Sequence, residues 1–234
     1  MKTKPGQMRH TTVGDARKLG LLPSVTNILG IIDRPELDSW KETQAILAAL
    51  TLPRNPLEGD DDFAERAAKD AREQVSKAAE RGTRVHAAIE ELLCFGSVKP
   101  HEDVASIFDP FVAWSQVNIL DVHFAEQTVV GTGYAGKLDL KCELRNVGPA
   151  IIDFKTRRPH NGKFATYPHD GLQLSAYQYT EPNPSAARVS VFINACEAAE
   201  PHVHLWERND DESSFHAFLS AFSLWKFLKN YNPQ

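Results

Sequence analysis

The sequence predicts a mixed α/β fold, with a central sheet flanked by helices, on three observations. Between Gly133 and Arg158 the stretch GYAGKLDLKCELRNVGPAIIDFKTRR holds two short segments in which apolar and charged residues alternate, the period-two mark of half-buried strands. The elements read as helices, three antiparallel strands, a helix, two strands and a helix, an order that suits a mixed sheet rather than a doubly wound parallel one. There is no G-x-G-x-x-G or Walker A loop, which disfavours nucleotide cofactors.

Residues up to Lys18 are polar and mildly basic, without periodicity, and are expected to form a flexible arm. LPSVTNILG offers Ser24 as a helix N-cap and Gly30 as a stop; PELDSWKETQAILAAL opens a helix at Pro35 whose Leu37, Trp40, Ile46 and Leu50 are read as packing residues. Pro, Gly and acids from Leu52 to Asp62 mark a loop. A long helical stretch follows from Phe63 to Leu93, with Gly82 as its weak point, and GTRVHAAIEELL puts Gly82, His86 and Glu90 on one stripe. Glycine there permits close approach of another backbone or a nucleic-acid strand, and Glu90 is placed to orient the imidazole. EDVASIFDPFVAWSQV is a helix interrupted or kinked at Pro110, and Asp121 to Val130 is a strand leading into the hairpin.

In the hairpin, Leu138, Leu140 and Cys142 alternate with Lys137, Asp139 and Lys141, and Ile152 and Phe154 with Ile151, Asp153 and Lys155. Arg145 to Pro149 supplies the turn. Pairing Leu144 with Ala150 sets Asp139 opposite Lys155, with Asp153 diagonal to it; a slip of one residue would reverse the face of Asp139. Two carboxylates and a lysine on a half-buried face suit a solvated hairpin, or a site where a hard divalent cation neutralises the acids. Beyond the hairpin, GLQLSAYQYT reads as a helix with Gln173 and Tyr177 one turn apart, ARVSVFINA and HVHLWE as strands, and the last helix carries Phe215, Phe218, Phe222, Trp225 and Leu228.

The 234 residues, 42% hydrophobic, suffice for one full core. A net charge of -5 gives no global attraction to nucleic acid, so such binding needs a local basic patch, for which Lys155, Arg157, Arg158, His160 and Lys163 are the candidate. Cys94, Cys142 and Cys196 stand apart without a C-x-x-C pair, which disfavours a zinc site, an iron-sulfur cluster or a disulfide framework. The start, MKTKPGQMRH, lacks the apolar core of a signal peptide, and no apolar run reaches a membrane span; a cytoplasmic protein with no membrane partner is expected.

Taken in order, GTRVHAAIE, GYAGKLDL, IIDFKTRR and QLSAYQ resemble the motifs of the PD-(D/E)XK nuclease superfamily, in its RecB-type branch. PSVTNIL followed by PELDSW resembles the start of phage-type members and of the mitochondrial genome maintenance exonuclease group. The resemblance implies a restriction-endonuclease-like core over 82–207 with a helical extension over 1–62, the whole of 1–234 forming one nuclease domain. It implies that His86, Asp139 and Asp153 ligate Mg2+ or Mn2+, that Lys155 is catalytic, and that Gln173 and Tyr177 form the Q-x-x-x-Y element beside the site. Phe154 stands where many members carry glutamate before the lysine, and the cysteines of cluster-bearing members are missing, so no iron-sulfur cluster is expected. Arg84, Arg157, Arg158 and Lys163 are the candidate nucleic-acid contacts, and Tyr177 a base-stacking or phosphate-binding side chain. The implied activity is DNA hydrolysis, read as an exonuclease that prefers single strands and needs an end, with recombination, repair or replication proteins as candidate partners. The alternatives are an inactive nucleic-acid-binding or complex-forming protein of the same fold and an unrelated metal-dependent hydrolase.

Overall fold

The computed structural model describes residues 11–182 and 184–233. The helices are α1 (Val13–Leu19), α2 (Val25–Leu29), α3 (Pro35–Thr51), α4 (Asp60–Phe95), α5 (Glu102–Asn118), α6 (Pro168–Gln178) and α7 (Asp211–Lys229), with one 3-10 turn at Arg208–Asp210. The strands are β1 (Ile119–Gly131), β2 (Tyr134–Leu144), β3 (Gly148–Arg157), β4 (Ala187–Asn194) and β5 (His202–Leu205). They form one mixed sheet in the order β1-β2-β3-β4-β5, antiparallel except for the parallel pair β3 and β4 that α6 connects. This is the mixed α/β fold with a helix-flanked central sheet.

On one face α4 and α5 bury Val85, Ile89, Ile107, Phe108 and Phe111 against Leu140, Ile152, Phe154 and Val191. On the other, α2, α6 and α7 close over Tyr134, Leu138 and Ile151 with Ile28, Leu174, Phe218 and Trp225. Ser24 caps α2 by accepting from Asn27 N at 3.1 Å, and Val25, Ile28 and Leu29 are fully buried, so α2 belongs to the core rather than to an extension. The expected flexible arm falls partly on residues 1–10, outside the described residues. From Thr12 it is a helix, because Thr12 and Asp15 form a capping box, and Tyr231 Oη ties α1 to the C-terminus by donating to Leu21 O at 2.9 Å.

α3 stands away from the sheet, packed on the first half of α4 through a small cluster of Ala48, Ala67 and Ala71. Leu37, Trp40, Ile46 and Leu50, read as packing residues, are 39%, 37%, 60% and 76% exposed: alanine, the side chain that lets two helices approach closely, makes the contact instead. α4 runs unbroken through Gly82, since one glycine costs about 1 kcal/mol, little against 36 helical residues. α5 likewise continues through Pro110, because burial of Phe108, Phe111 and Trp114 outweighs one lost backbone hydrogen bond.

Candidate metal centre and its cleft

β2 and β3 pair with Leu144 opposite Gly148 and Leu140 opposite Ile152, two residues from the expected register. The loop is three residues, with Asn146 at φ 62° and Gly148 at φ 90°, shorter than the five-residue turn that was expected. Continuing the ladder sets Asp139 opposite Asp153 rather than Lys155. A slip of two preserves the parity of a strand, so all three side chains keep the expected face.

Asp139 Oδ2 accepts from Phe154 N at 2.8 Å and lies 3.7 Å from His86 Nδ1. Asp153, 2% exposed, receives Gln173 Nε2 on Oδ1 at 3.0 Å, while its Oδ2 is 2.7 Å from Lys155 Nζ. Gln173 also accepts from Lys155 Nζ at 3.3 Å and donates to Tyr177 Oη at 3.2 Å. One glutamine on α6 thus holds both the acid and the lysine of β3.

Sequence reasoning missed two residues. Glu126, on β1 beside Asp139, adopts φ 52°, which interrupts the β1–β2 pairing at that point. His86, Glu126 and Asp139 each bring one ligand atom to within 4.8 Å of the others. Its signal was a lone acid in an alternating strand, where period two says nothing of a bend. Gly136 is the second: a Cβ there would lie 2.3 Å from Tyr177 Cε1, so the motif glycine makes room for the Tyr177 ring.

Burial, with the charges of Asp153 and Glu126, raises the Asp139 carboxyl well above its ordinary range, and burial lowers the His86 imidazole. Burial also opposes the charge on Lys155, but the Asp153 carboxylate outweighs it and the net shift is upward. That direction favours the ammonium form of Lys155 in this protein without metal. The donor set fits a hard divalent ion: two carboxylates and an imidazole converge, and Asp153 Oδ2, on the strand paired with that of Asp139, is buried without a hydrogen bond of good geometry. His86, Glu126 and Asp139 would hold the ion, with Asp153 Oδ2 as the remaining oxygen.

Several expected roles change. Glu90 pairs with Lys137 at 3.7 Å, which also pairs with Glu126, instead of orienting His86. Tyr177, 3% exposed, supports Gln173 and offers no face to a base. Arg84 is bound to Asp103 at 2.8 Å, Lys163 is exposed, and neither lines the cleft described next. Arg157 is held by Asp170 at 2.8 Å with its guanidinium 4.6 Å from the Tyr167 ring centre; Arg158 donates to Cys196 Sγ at 3.1 Å.

A cleft of about 1070 Å³ reaches Lys155 and Gln173 between the segment from Gly30 to Lys41 and Arg157, His169 and Asp170. A second cavity of about 850 Å³ adjoins it under α3, lined by Trp40, Lys77, Arg81, Thr156 and Arg158. The two share Arg34, Leu37, Arg157 and His169. α3 forms the roof. The acidic loop from Glu58 to Asp62 lines neither cavity: Glu58 pairs with Arg66, whose hydrogen bond holds its carboxyl down at about 2, and Asp60 pairs with Arg54.

No protein-family model and no curated protein matches the chain. Among solved structures it is similar to the crystal structure of SSO0001, at 13% identity and a TM-score of 0.34, over 81% of this chain and 86% of that one, a likeness too distant to carry an argument. Among the described residues no helix is long and apolar enough to cross a membrane.

Proposed function

We propose that this chain is a metal-dependent deoxyribonuclease of the PD-(D/E)XK type, RecB-like branch, an end-dependent exonuclease that prefers single-stranded DNA. One observation carries the reading: His86, Asp139, Asp153, Lys155, Gln173 and Tyr177, spread over four sequence motifs, meet in one site, of which Lys155 and Gln173 line the cleft. His86, Glu126, Asp139 and Asp153 would hold a magnesium or manganese ion, which would activate water at neutral pH and draw charge from the phosphate. Lys155, 2.7 Å from Asp153 Oδ2, orients the attacking water and offsets negative charge as it develops on the phosphorus oxygens. Gln173 hydrogen-bonds both Asp153 and Lys155, and Tyr177 fixes Gln173. The compartment that goes with this reading is the cytoplasm, where DNA and free magnesium are both present, and its pathway is phage or cellular recombination, repair or replication.

The preference for single strands and ends follows from the roof. A passage under α3 admits a flexible strand more easily than a duplex about 20 Å wide, and threading requires a terminus. The test compares a labelled linear single strand, its covalently closed circle and a linear blunt duplex, each with and without magnesium. Magnesium-dependent loss of the linear strand with survival of the circle is expected. Cleavage of the circle would remove the threading argument, and no cleavage of any substrate would leave an inactive binding protein of this fold.

A further inference from the structure

We propose that Thr156 Oγ1 and Arg81 Nε form a second phosphate subsite, under α3, for a phosphodiester neighbouring the one at Lys155. It rests on the nuclease reading and extends it to two residues that have no role in the metal site. Thr156 follows Lys155 on β3 and so points to the opposite face, toward α4. Its hydroxyl oxygen is buried without a partner. A hydroxyl in that position normally finds an acceptor or donor, so an unpaired one at a cavity wall is a group waiting for a ligand. Arg81, on α4 little more than one turn before His86, donates through one terminal nitrogen to Ala195 O at 2.7 Å and through the other to Asp103 O at 3.1 Å. Its Nε is buried and unpaired.

Two neutral carbonyls fix the guanidinium without cancelling its charge, which leaves one unpaired N–H on a rigid cation, the arrangement that suits an anionic oxygen. Both residues line the 850 Å³ cavity, with Lys77 one turn before Arg81 and Arg158 across from them. The site lies at the C-terminal ends of the parallel pair β3 and β4, where ligands of α/β sheets gather. A strand lying on Lys155 and Gln173 in the larger cleft continues into this cavity, because the two share a wall. The chemistry offered is a hydroxyl donor and a charged donor, with no base-reading group, so the ligand is backbone phosphate and the contact is indifferent to sequence.

Anisotropy of a fluorescein-labelled single-stranded oligonucleotide, measured in chelator so that nothing is cleaved, tests this on the full chain. Thr156→Val is the cleaner variant, since it removes an unpaired hydroxyl at constant volume. It should melt at or above the parent temperature and bind the oligonucleotide several-fold more weakly, a combination that a structural role for the hydroxyl does not produce. Arg81→Gln should weaken binding and lower the slope of log K against log salt by about 0.7, the loss of one single-strand phosphate contact. Scanning the oligonucleotide with single methylphosphonate linkages should find one position whose neutralisation weakens the parent but not Arg81→Gln. Unchanged affinity and slope in both variants, with the parent still binding and cleaving, would overturn the subsite alone; a parent that neither binds nor cleaves overturns the nuclease reading beneath it. Inorganic phosphate that raises the melting temperature of the parent while neither variant alters DNA binding would assign the site to a free anion and overturn the nucleic-acid assignment.

Discussion

Replacing Gly136 with alanine tests whether Tyr177 acts through Gln173 on the metal site. The added Cβ would stand 2.3 Å from Tyr177 Cε1 and 3.1 Å from Cζ. Carbon atoms rest at about 3.5 Å, so the ring must retreat by about 1.2 Å. It cannot do so freely, because Tyr177 is 3% exposed and packed in the cluster of Leu138, Leu174 and Ala176. A shift of that size breaks the 3.2 Å hydrogen bond from Gln173 Nε2, whose other contacts hold Asp153 and Lys155. Overpacking of this kind costs about 1 to 3 kcal/mol of stability. A misplacement of about 1 Å at the chemistry lowers turnover on the order of a hundredfold. Urea unfolding and steady-state cleavage of a labelled linear single strand measure the two effects, and the loss should fall on kcat with KM little changed. Gly136→Ala together with Tyr177→Leu should recover stability, since the smaller side chain vacates the space, but not the full rate. Parent stability and parent kcat in Gly136→Ala would refute the chain of contacts from β2 to Lys155.

Lys155→Ala should abolish cleavage while leaving oligonucleotide affinity within a few-fold, because the ammonium acts in the transition state; unchanged turnover would end its catalytic assignment. For Asp139→Asn the sign follows from linkage. The folded carboxyl is raised above its unfolded value, so this group's contribution to metal-free stability is most favourable at pH below about 4 and is lost as pH rises through the folded value. The asparagine variant should therefore be more stable than the parent at neutral pH in chelator yet lose magnesium affinity, as read by thermal melts and calorimetry; a variant less stable than the parent in chelator would contradict the repulsion from Asp153. Glu126→Gln should likewise weaken magnesium binding, and normal affinity by calorimetry would remove Glu126 from the ligand set. His86→Ala should lose more of its manganese-supported than its magnesium-supported activity, since imidazole is a softer ligand that suits manganese better than magnesium; activity equal to the parent's with both ions would return His86 to a packing role.

What the sequence determined by itself was whatever short-range physics dictates. Alternation in 137–142 and 151–155 committed those residues to strands and put Asp139, Asp153 and Lys155 on one face, and Ser24 and Gly30 bounded α2 through a cap and a stop whose partners lie within a few residues. Gln173 and Tyr177 one turn apart on α6 were legible for the same reason, because helical spacing is a local property. Tertiary structure decided the rest. The register that sets Asp139 against Asp153 depends on a three-residue loop and on which apolar pairs pack, and a shift of two was invisible to a parity argument. Glu126 entered the site through a bend opposite Asp139, Glu90 left it because Lys137 on β2 came within reach, and Lys155 became a fixed cation because Asp153 and Gln173 converge on it from different elements. The room for Tyr177 is likewise the absence of one Cβ on another strand. Apart from the Asp153–Lys155 pair, each of these is a contact between groups well separated in sequence, whose energies exist only once the elements have packed together, and no local pattern encodes a distance across a fold.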